Sequence, residues 1–342
     1  LSGILRLSCD QNPLCATLII KMIKSAKRRL HLLSGRVHPE LAEEVAANLG
    51  IQLCNVTLTN FANGEIFCRI NESVRGADIF IMQTHAGDLN HAIMEQAIMI
   101  DAAKRASAAS ITAVCPFLGY TRQDRKSGGR EPISGRLVVD LLSSAGADRI
   151  VSVDLHSGQT QGFFNGPFDH LIAMPSLVKH IAPQLSGKDV VVVSPDAGRV
   201  KSAERYSSAL GSSVAIIHKH RPTNKANVAE ARYLIGDVEG KTCLVIDDMV
   251  DTAGTLCTAA DMLAQHGAKE VYGLTTHGLF SDPAIERIEQ SAFKKIISTN
   301  TVPEKKSSKI EYVSIAPLLA AAVNNIFEDA SISALFDGKN QM

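Results

Sequence analysis

From Leu30 onward, short apolar runs alternate with stretches of helical period. The runs predict strands at 30–33, 78–83, 111–115 and 149–153, then at 189–194, 213–217, 242–246, 270–275 and 294–299. Between them, Leu41, Val45 and Leu49 mark an apolar face on a helix opening at Pro39, and Ile93, Met94, Ala97 and Ile98 mark another. Leu256, Ala260, Leu263 and Ala264 make a third, with a stop near Gly267. Strand and helix in strict alternation is the pattern of an α/β fold with parallel sheets flanked by helices. The two halves read as two similar units joined near 165–170, giving domains at 30–168 and 169–336 and a tail at 337–342.

Composition narrows the class. The chain has 342 residues, room for two ordinary domains, and 35 basic residues balance 35 acidic ones. That balance argues against nucleic acid or an anionic membrane as the partner, but leaves anionic small molecules open. The 7 cysteines show no metal or disulfide spacing, and Cys54, Cys115 and Cys243 sit inside apolar runs, as reduced thiols of a cytoplasmic protein would. No run approaches the about 18 apolar residues of a membrane span. Residues 1–29 stand apart as an atypical extension: Lys24, Lys27, Arg28 and Arg29 follow the apolar stretch, the reverse of a signal peptide, and Met22 is an alternative start.

In parallel sheets ligands gather at the carboxyl ends of strands, so the polar residues there carry the functional reading. The run 242–246 ends in Asp247 and Asp248, and Asp251, Thr252, Ala253, Gly254 and Thr255 then form a small-residue turn into a helix. Such a turn offers free backbone N–H groups and the positive end of a helix dipole to a phosphate, while the acids suit ribose hydroxyls or a hydrated Mg²⁺. Run 149–153 leads to His156 and run 189–194 to Asp196, a pair suited to Mg²⁺ directly or through water, although a lone histidine after a strand is more often structural. Lys219 and Arg221, two apart in an extended stretch, face one side and suit a phosphoryl group in transit; alone they would read as a solvated basic turn.

The first half offers Phe61, Asn63, Gly64 and Glu65, either a tight hairpin turn or a base pocket in which Phe61 stacks and Asn63 or Glu65 reads the polar edge. Arg122 and Gln123 offer donors to a nucleotide, and Lys126 to Arg130 reads as a mobile loop.

Together these segments resemble ribose-phosphate pyrophosphokinases of the phosphate-activated, ADP-inhibited class over nearly the whole span from Leu32 to Phe336. SGRVHPELAEEVAANLG, FANGE, RQD, VDLH, SPDAGR, HKHRP and DDMVDTAGT carry the resemblance, and FANGE, GREPIS and SPDAGR are similar to actinobacterial members. The resemblance implies a type I phosphoribosyltransferase-like fold and transfer of the β,γ-pyrophosphoryl group of Mg-ATP to the 1-hydroxyl of ribose 5-phosphate. It assigns Lys219 and Arg221 to the transferring group, with Arg221 also on the sugar phosphate. Asp247 and Asp248 would take the ribose, and Asp251 to Thr255 the 5-phosphate. His156 and Asp196 would serve the metal; Phe61, Asn63, Gly64, Glu65, Arg122 and Gln123 would bind ATP. It further implies Mg²⁺, regulation by inorganic phosphate and ADP, and a homo-oligomer built of dimers, usually a hexamer. Asn63, Arg199, His218, His220 and Ala253 depart from the common pattern, and Ala253 is tolerable if that position does not need a positive φ.

Two alternatives share these motifs. A phosphoribosyltransferase would use the cradle without a second α/β unit and without Lys219-x-Arg221. A non-catalytic regulatory homologue would have lost the basic loop and the cradle, and both are present. The missing G-x-G-x-x-G and G-x-x-x-x-G-K-[ST] patterns disfavour a dehydrogenase or P-loop kinase.

Overall fold

The computed structural model describes residues 28–220 and 231–336, with backbone alone for 219–220 and 231–232. Strand β1 (Leu30–Ser34) is followed by a separate antiparallel hairpin of β2 (Val56–Asn60) and β3 (Ile66–Ile70). Strands β4 (Asp78–Met82), β5 (Ser110–Cys115), β6 (Arg149–Val153) and β7 (Phe168–Leu171) then line up parallel beside β1, in chain order. Because β7 pairs with β6, the chain changes sheet after Leu171, slightly beyond the expected division.

The second sheet contains β8 (Val190–Ser194), β9 (Ser213–His220), β10 (Ala231–Ile235), β11 (Thr242–Val250), β12 (Glu270–Gly278), β13 (Phe293–Thr299) and β14 (Ile310–Val313). Their spatial order is β10-β9-β8-β11-β12-β13-β14, parallel except for the antiparallel β9–β10 pair. Among the strands that outrun their expected bounds, β9 continues through Lys219 to His220, and β11 carries both acids and reaches Val250. Pairing explains both extensions, since β10 supports the end of β9 and β12 runs beside β11 to Gly278.

Helices α1 (Pro39–Leu49), α2 (Leu89–Arg105), α3 (Ser134–Ala145) and α4 (Met174–Leu185) precede α5 (Val200–Leu210), α6 (Gly254–Gln265), α7 (Ala284–Gln290) and α8 (Ala316–Phe327). The strands are apolar on both faces because both faces are covered. In β4, Phe80 and Met82 join one core while Ile79 and Ile81 join another; in β11, Leu244 and Ile246 oppose Cys243 and Val245 in the same way. Residues of α1, α4, α5 and α8 share one core with both sheets, so the two halves are packed through a common layer. Burial of Cys54, Cys115 and Cys243 agrees with their place in apolar runs, and all are free thiols. Among the described residues, no helix is long and apolar enough to cross a membrane.

Candidate active site

The second sheet reverses its order of strand addition between β8 and β11. The chain goes from β8 outward to β9 and β10, then returns to place β11 on the other side of β8. Crevices at the carboxyl ends of such a reversal collect ligands, because the connecting loops part there. Asp196 stands just past the end of β8, and Asp247 and Asp248 stand near the end of β11.

His156 reaches this crevice from the end of β6 in the first sheet. Its Nδ1 lies 2.7 Å from Asp248 Oδ2. A carboxylate only accepts, so the proton sits on Nδ1 and the Nε2 lone pair is left available. Arg199 Nη2 lies 3.0 Å from the same Nδ1, but its donors are spent on the acids: Nη2 is 2.5 Å from Asp248 Oδ1, and Nε is 3.3 Å from Asp247 Oδ1. Burial, then the neighbouring Asp248 charge, raises the Asp247 carboxyl above the usual range. Burial works the same way on Asp248, but the His156 hydrogen bond and the Arg199 charge overcome it and hold that carboxyl low.

The cradle follows directly. Ala253 has φ 58° and ψ 2°, a left-handed conformation that lets the chain turn from β11 into α6. The methyl is therefore accommodated at a position that does take a positive φ, contrary to the condition placed on it from sequence. The amides of Thr252, Ala253, Gly254 and Thr255 find no acceptor among the described residues. Their carbonyls are drawn backward: Arg287 Nη1 donates to Thr252 O at 2.9 Å, Cys257 N to Ala253 O at 2.9 Å, and Thr258 Oγ1 to Gly254 O at 2.8 Å. Unpaired amides at a helix start, with the carbonyls turned away, form an anion site.

Arg122 approaches from the first half, placing Nη1 3.0 Å from Asp251 Oδ2 and Nε 2.8 Å from Met249 Sδ. Burial tends to raise the Asp251 carboxyl, but Ser281 and Arg122 outweigh it and hold it below its ordinary value. Arg122 and Gln123 line a cavity of about 690 Å³ together with His85, Asp251 and Lys305. A second cavity of about 670 Å³ borders the cradle between Thr255 and Arg287.

Other expected residues are placed differently. Phe61 is 56% exposed at the tip of the β2–β3 hairpin, edge-on to Phe67 at 6.0 Å. Asn63, Gly64 and Glu65 close that tip: Gly64 takes φ 92°, and Glu65 N donates to Asn63 Oδ1 at 3.3 Å. Among the described residues no hydrogen bond joins this tip to the crevice; its neighbour Asn60 bonds Arg36 and His91. Lys219 lies on β9 opposite Arg232 of β10, whereas Arg221 lies outside the described residues. Asp196 is exposed, and its Oδ1 caps its own turn, accepting from Gly198 N at 2.8 Å and Arg199 N at 3.1 Å. The expected mobile loop after Gln123 is held at Glu131, whose Oε2 accepts from Ser127 N at 2.7 Å and Gly128 N at 2.8 Å.

Three contributors escaped sequence reasoning. Arg199 was visible only as a departure from the common pattern, Arg287 carries no local signal, and His277 lies inside a strand. His277 Nε2 donates to the carbonyls of Val153 and Asp154 at 3.1 Å each, while its Nδ1 accepts from Thr301 Oγ1 at 2.8 Å. It braces the end of β6, two residues before His156, against the second sheet.

Comparisons with known proteins point to one family. A family model described as the N-terminal domain of ribose phosphate pyrophosphokinase matches residues 30–146. Another, described as the phosphoribosyl synthetase-associated domain, matches residues 222–337. A ribose-phosphate pyrophosphokinase of Bifidobacterium longum is 54% identical over 316 residues, covering 91% of this chain and 93% of that protein. One of Streptomyces coelicolor is 50% identical over 316 residues, covering 92% and 98%. The crystal structure of phosphoribosylpyrophosphate synthetase from Mycobacterium smegmatis superposes with a TM-score of 0.84 at 49% identity, covering 88% of this chain and all of that one.

Proposed function

This chain belongs to the ribose-phosphate pyrophosphokinase family, and we propose that its active site is the crevice where the ends of β8 and β11 meet the end of β6. The protein is an enzyme that transfers the β,γ-pyrophosphoryl group of ATP to ribose 5-phosphate, releasing AMP. The 1-hydroxyl of the sugar attacks the β-phosphorus, the bond from that phosphorus to the α-phosphate oxygen breaks, and AMP departs with that oxygen. The observation that carries the site is the row of unpaired amides at Thr252–Thr255 directly downstream of the half-buried acid pair.

In this reading the amides of Thr252 to Thr255 and the Thr252 and Thr255 hydroxyls take the 5-phosphate, with Asp251 at the loop's entry. Asp247 and Asp248 accept from the ribose hydroxyls and so orient the 1-hydroxyl. Lys219 and Arg221 neutralise charge on the transferring group, which matters because phosphoryl transfer proceeds with charge spread over the equatorial oxygens. Arg122 and Gln123 bind the nucleotide within the large cavity, and Phe61, Asn63, Gly64 and Glu65 bind the base. That hairpin points outward, so it serves the crevice of a neighbouring copy; this supports a homo-oligomer built of dimers, usually a hexamer.

The donor set fits a divalent cation: Asp196 presents an exposed hard carboxylate, and the Nδ1–H bond to Asp248 leaves His156 Nε2 free for the ion or its water. Bound with ATP, Mg²⁺ would neutralise phosphate charge. Inorganic phosphate as activator, ADP as inhibitor and a cytoplasmic setting complete the proposal.

A coupled assay on the purified protein with Mg²⁺, ATP and ribose 5-phosphate tests it. AMP should form in equal amount with the phosphoribosyl product, only when the sugar is present, and faster with inorganic phosphate. ADP in place of AMP would make the transferred group a single phosphoryl. Ligand binding without turnover would favour the regulatory homologue.

A further inference from the structure

The Arg199 guanidinium occupies the middle of the proposed site. It touches Asp248 Oδ1 at 2.5 Å, Asp247 Oδ1 at 3.3 Å and His156 Nδ1 at 3.0 Å, and only 17% of its side chain is exposed. The Asp248 carboxylate is thereby heavily engaged, since Oδ1 also accepts from Met249 N at 2.9 Å and Oδ2 faces His156. Two half-buried carboxylates on adjacent residues repel each other, and one guanidinium cancels only half of their charge. The backbone N–H of Arg199 is itself held by Asp196 Oδ1, so the exposed carboxylate and the cation belong to one short turn.

We propose that Arg199 is a resident cation that competes with the divalent ion for this site: it offsets part of the charge of Asp247 and Asp248 in the metal-free enzyme and is displaced when a dication arrives. Two features make the exchange reciprocal. A dication at Asp196 or His156 repels a guanidinium that lies against the same imidazole. An ion drawing on Asp196 also withdraws the carboxylate that caps the turn carrying Arg199. Arg199 is thus a positioning and affinity-setting residue. It keeps the acid pair folded and oriented without metal, and it raises the ion concentration needed to load the site. The inference rests on the assignment of His156 and Asp196 to the metal.

Binding of Mn²⁺ alone to the full-length protein, followed by the electron paramagnetic resonance of free Mn²⁺, tests this without turnover. Arg199→Met removes the charge at similar length and should bind Mn²⁺ roughly tenfold more tightly than the parent, within the usual range of coupling between two binding events. It should also melt earlier in EDTA and regain stability when Mn²⁺ is added. Arg199→Lys, which cannot bridge two carboxylates as a fork, should show a smaller gain in the same direction and serves if the Met variant fails to fold. Equal or weaker Mn²⁺ affinity in both variants, or no binding by variant or parent, overturns the competition. Asp196→Asn separates the premises. If it abolishes Mn²⁺ binding while the Arg199 variants match the parent, only the competition fails. If it leaves binding intact, the metal assignment fails and the competition with it.

Discussion

The two sheets are built from the same strand–helix unit, but the chain connects them differently. In the first, strands β1, β4, β5, β6 and β7 are added in order in one direction, so no pair of neighbours is separated by a reversal. In the second, the path leaves β8 for β9 and β10 and returns to β11, opening a crevice beside the strand that carries Asp247 and Asp248. The first sheet spends its polar strand ends differently: His85 bonds Gln96 and the Gly119 amide in the interior, and His170 accepts from Leu155 N. His156 reaches the crevice itself, while Arg122, Gln123 and His85 line the cavity beside it. A repeated unit therefore acquires chemistry from its connections, because only the reversal leaves strand ends uncovered side by side.

The sharpest way to break that comparison is to remove the cation proposed to act on the transferring group. Lys219→Ala should lower kcat by roughly 3–4 kcal/mol in barrier terms, ~10²–10³ in rate, with little change in KM. Steady-state kinetics in both substrates decide it. A raised KM with kcat preserved would make Lys219 a binding residue and leave the second sheet's basic loop outside the chemistry.

How much of this was legible in the chain follows the same division between covered and uncovered strands. Central strands announce themselves as continuous apolar runs because both faces are buried, and Asp247 to Thr255 is legible because its chemistry is contiguous in sequence. Strands β7, β10 and β14 were not expected, and each lies at an edge of its sheet, where FDHL, ARYLI and IEYV keep polar residues among the apolar ones. The bonds from His156 to Asp248 and from Arg122 to Asp251 join residues 92 and 129 positions apart, so no local pattern records them. Arg199 belongs to the same class: its partners become neighbours only once β8 and β11 lie side by side. The hairpin at Phe61 was legible as a turn, but whose crevice it serves depends on a second copy of the chain.

The buried histidines sharpen the contrast through pH. Burial lowers His85, His170 and His277 from 6.5 to about 4, partly offset at His85 by Gln96 and at His277 by the carbonyl of Asp154. A histidine held neutral in the fold contributes stability that is full above its unfolded value and lost as pH falls toward the folded one. The protein should therefore lose stability between about pH 6.5 and pH 4. Asp154, raised to about 6 chiefly by burial, works in the opposite sense and moderates the fall as it protonates. Urea midpoints across that window test the sign. His277→Gln should flatten the profile and loosen the brace between β6 and β12; an unchanged slope would exclude His277 as a contributor.

A smaller effect is expected where the halves touch through partly exposed charges. Arg122 and Asp251 keep 45% and 37% of their side chains exposed, so their pairing should contribute only about 0.2–1 kcal/mol to stability. A double-mutant cycle with Arg122→Ala and Asp251→Ala measures that coupling by denaturant unfolding. Asp251→Ala should nonetheless weaken ribose 5-phosphate binding more than ATP binding, because Asp251 opens the cradle. Equal losses for the two ligands would place Asp251 with Arg122 in the nucleotide cavity instead.

The smallest change concerns the single methyl at the turn into α6. Ala253 holds φ 58° and is 5% exposed, packed in the core that α6 shares with β11. A left-handed alanine costs about 1–2 kcal/mol, which glycine would relieve. Against that gain, glycine gives the unfolded chain about 0.4–1 kcal/mol of extra entropy. It also gives up a buried methyl, about 0.8 kcal/mol by transfer. The three terms nearly cancel, so Ala253→Gly should shift unfolding free energy by less than about 1 kcal/mol and leave ribose 5-phosphate affinity close to the parent's. Ala253→Val discriminates between the terms, since a β-branched residue keeps the packing volume but is strongly disfavoured at positive φ. It should destabilise the fold and misplace the cradle amides together. If instead glycine proves the more damaging substitution, packing of the methyl outweighs the backbone conformation, and α6 is positioned by its core contacts rather than by the turn.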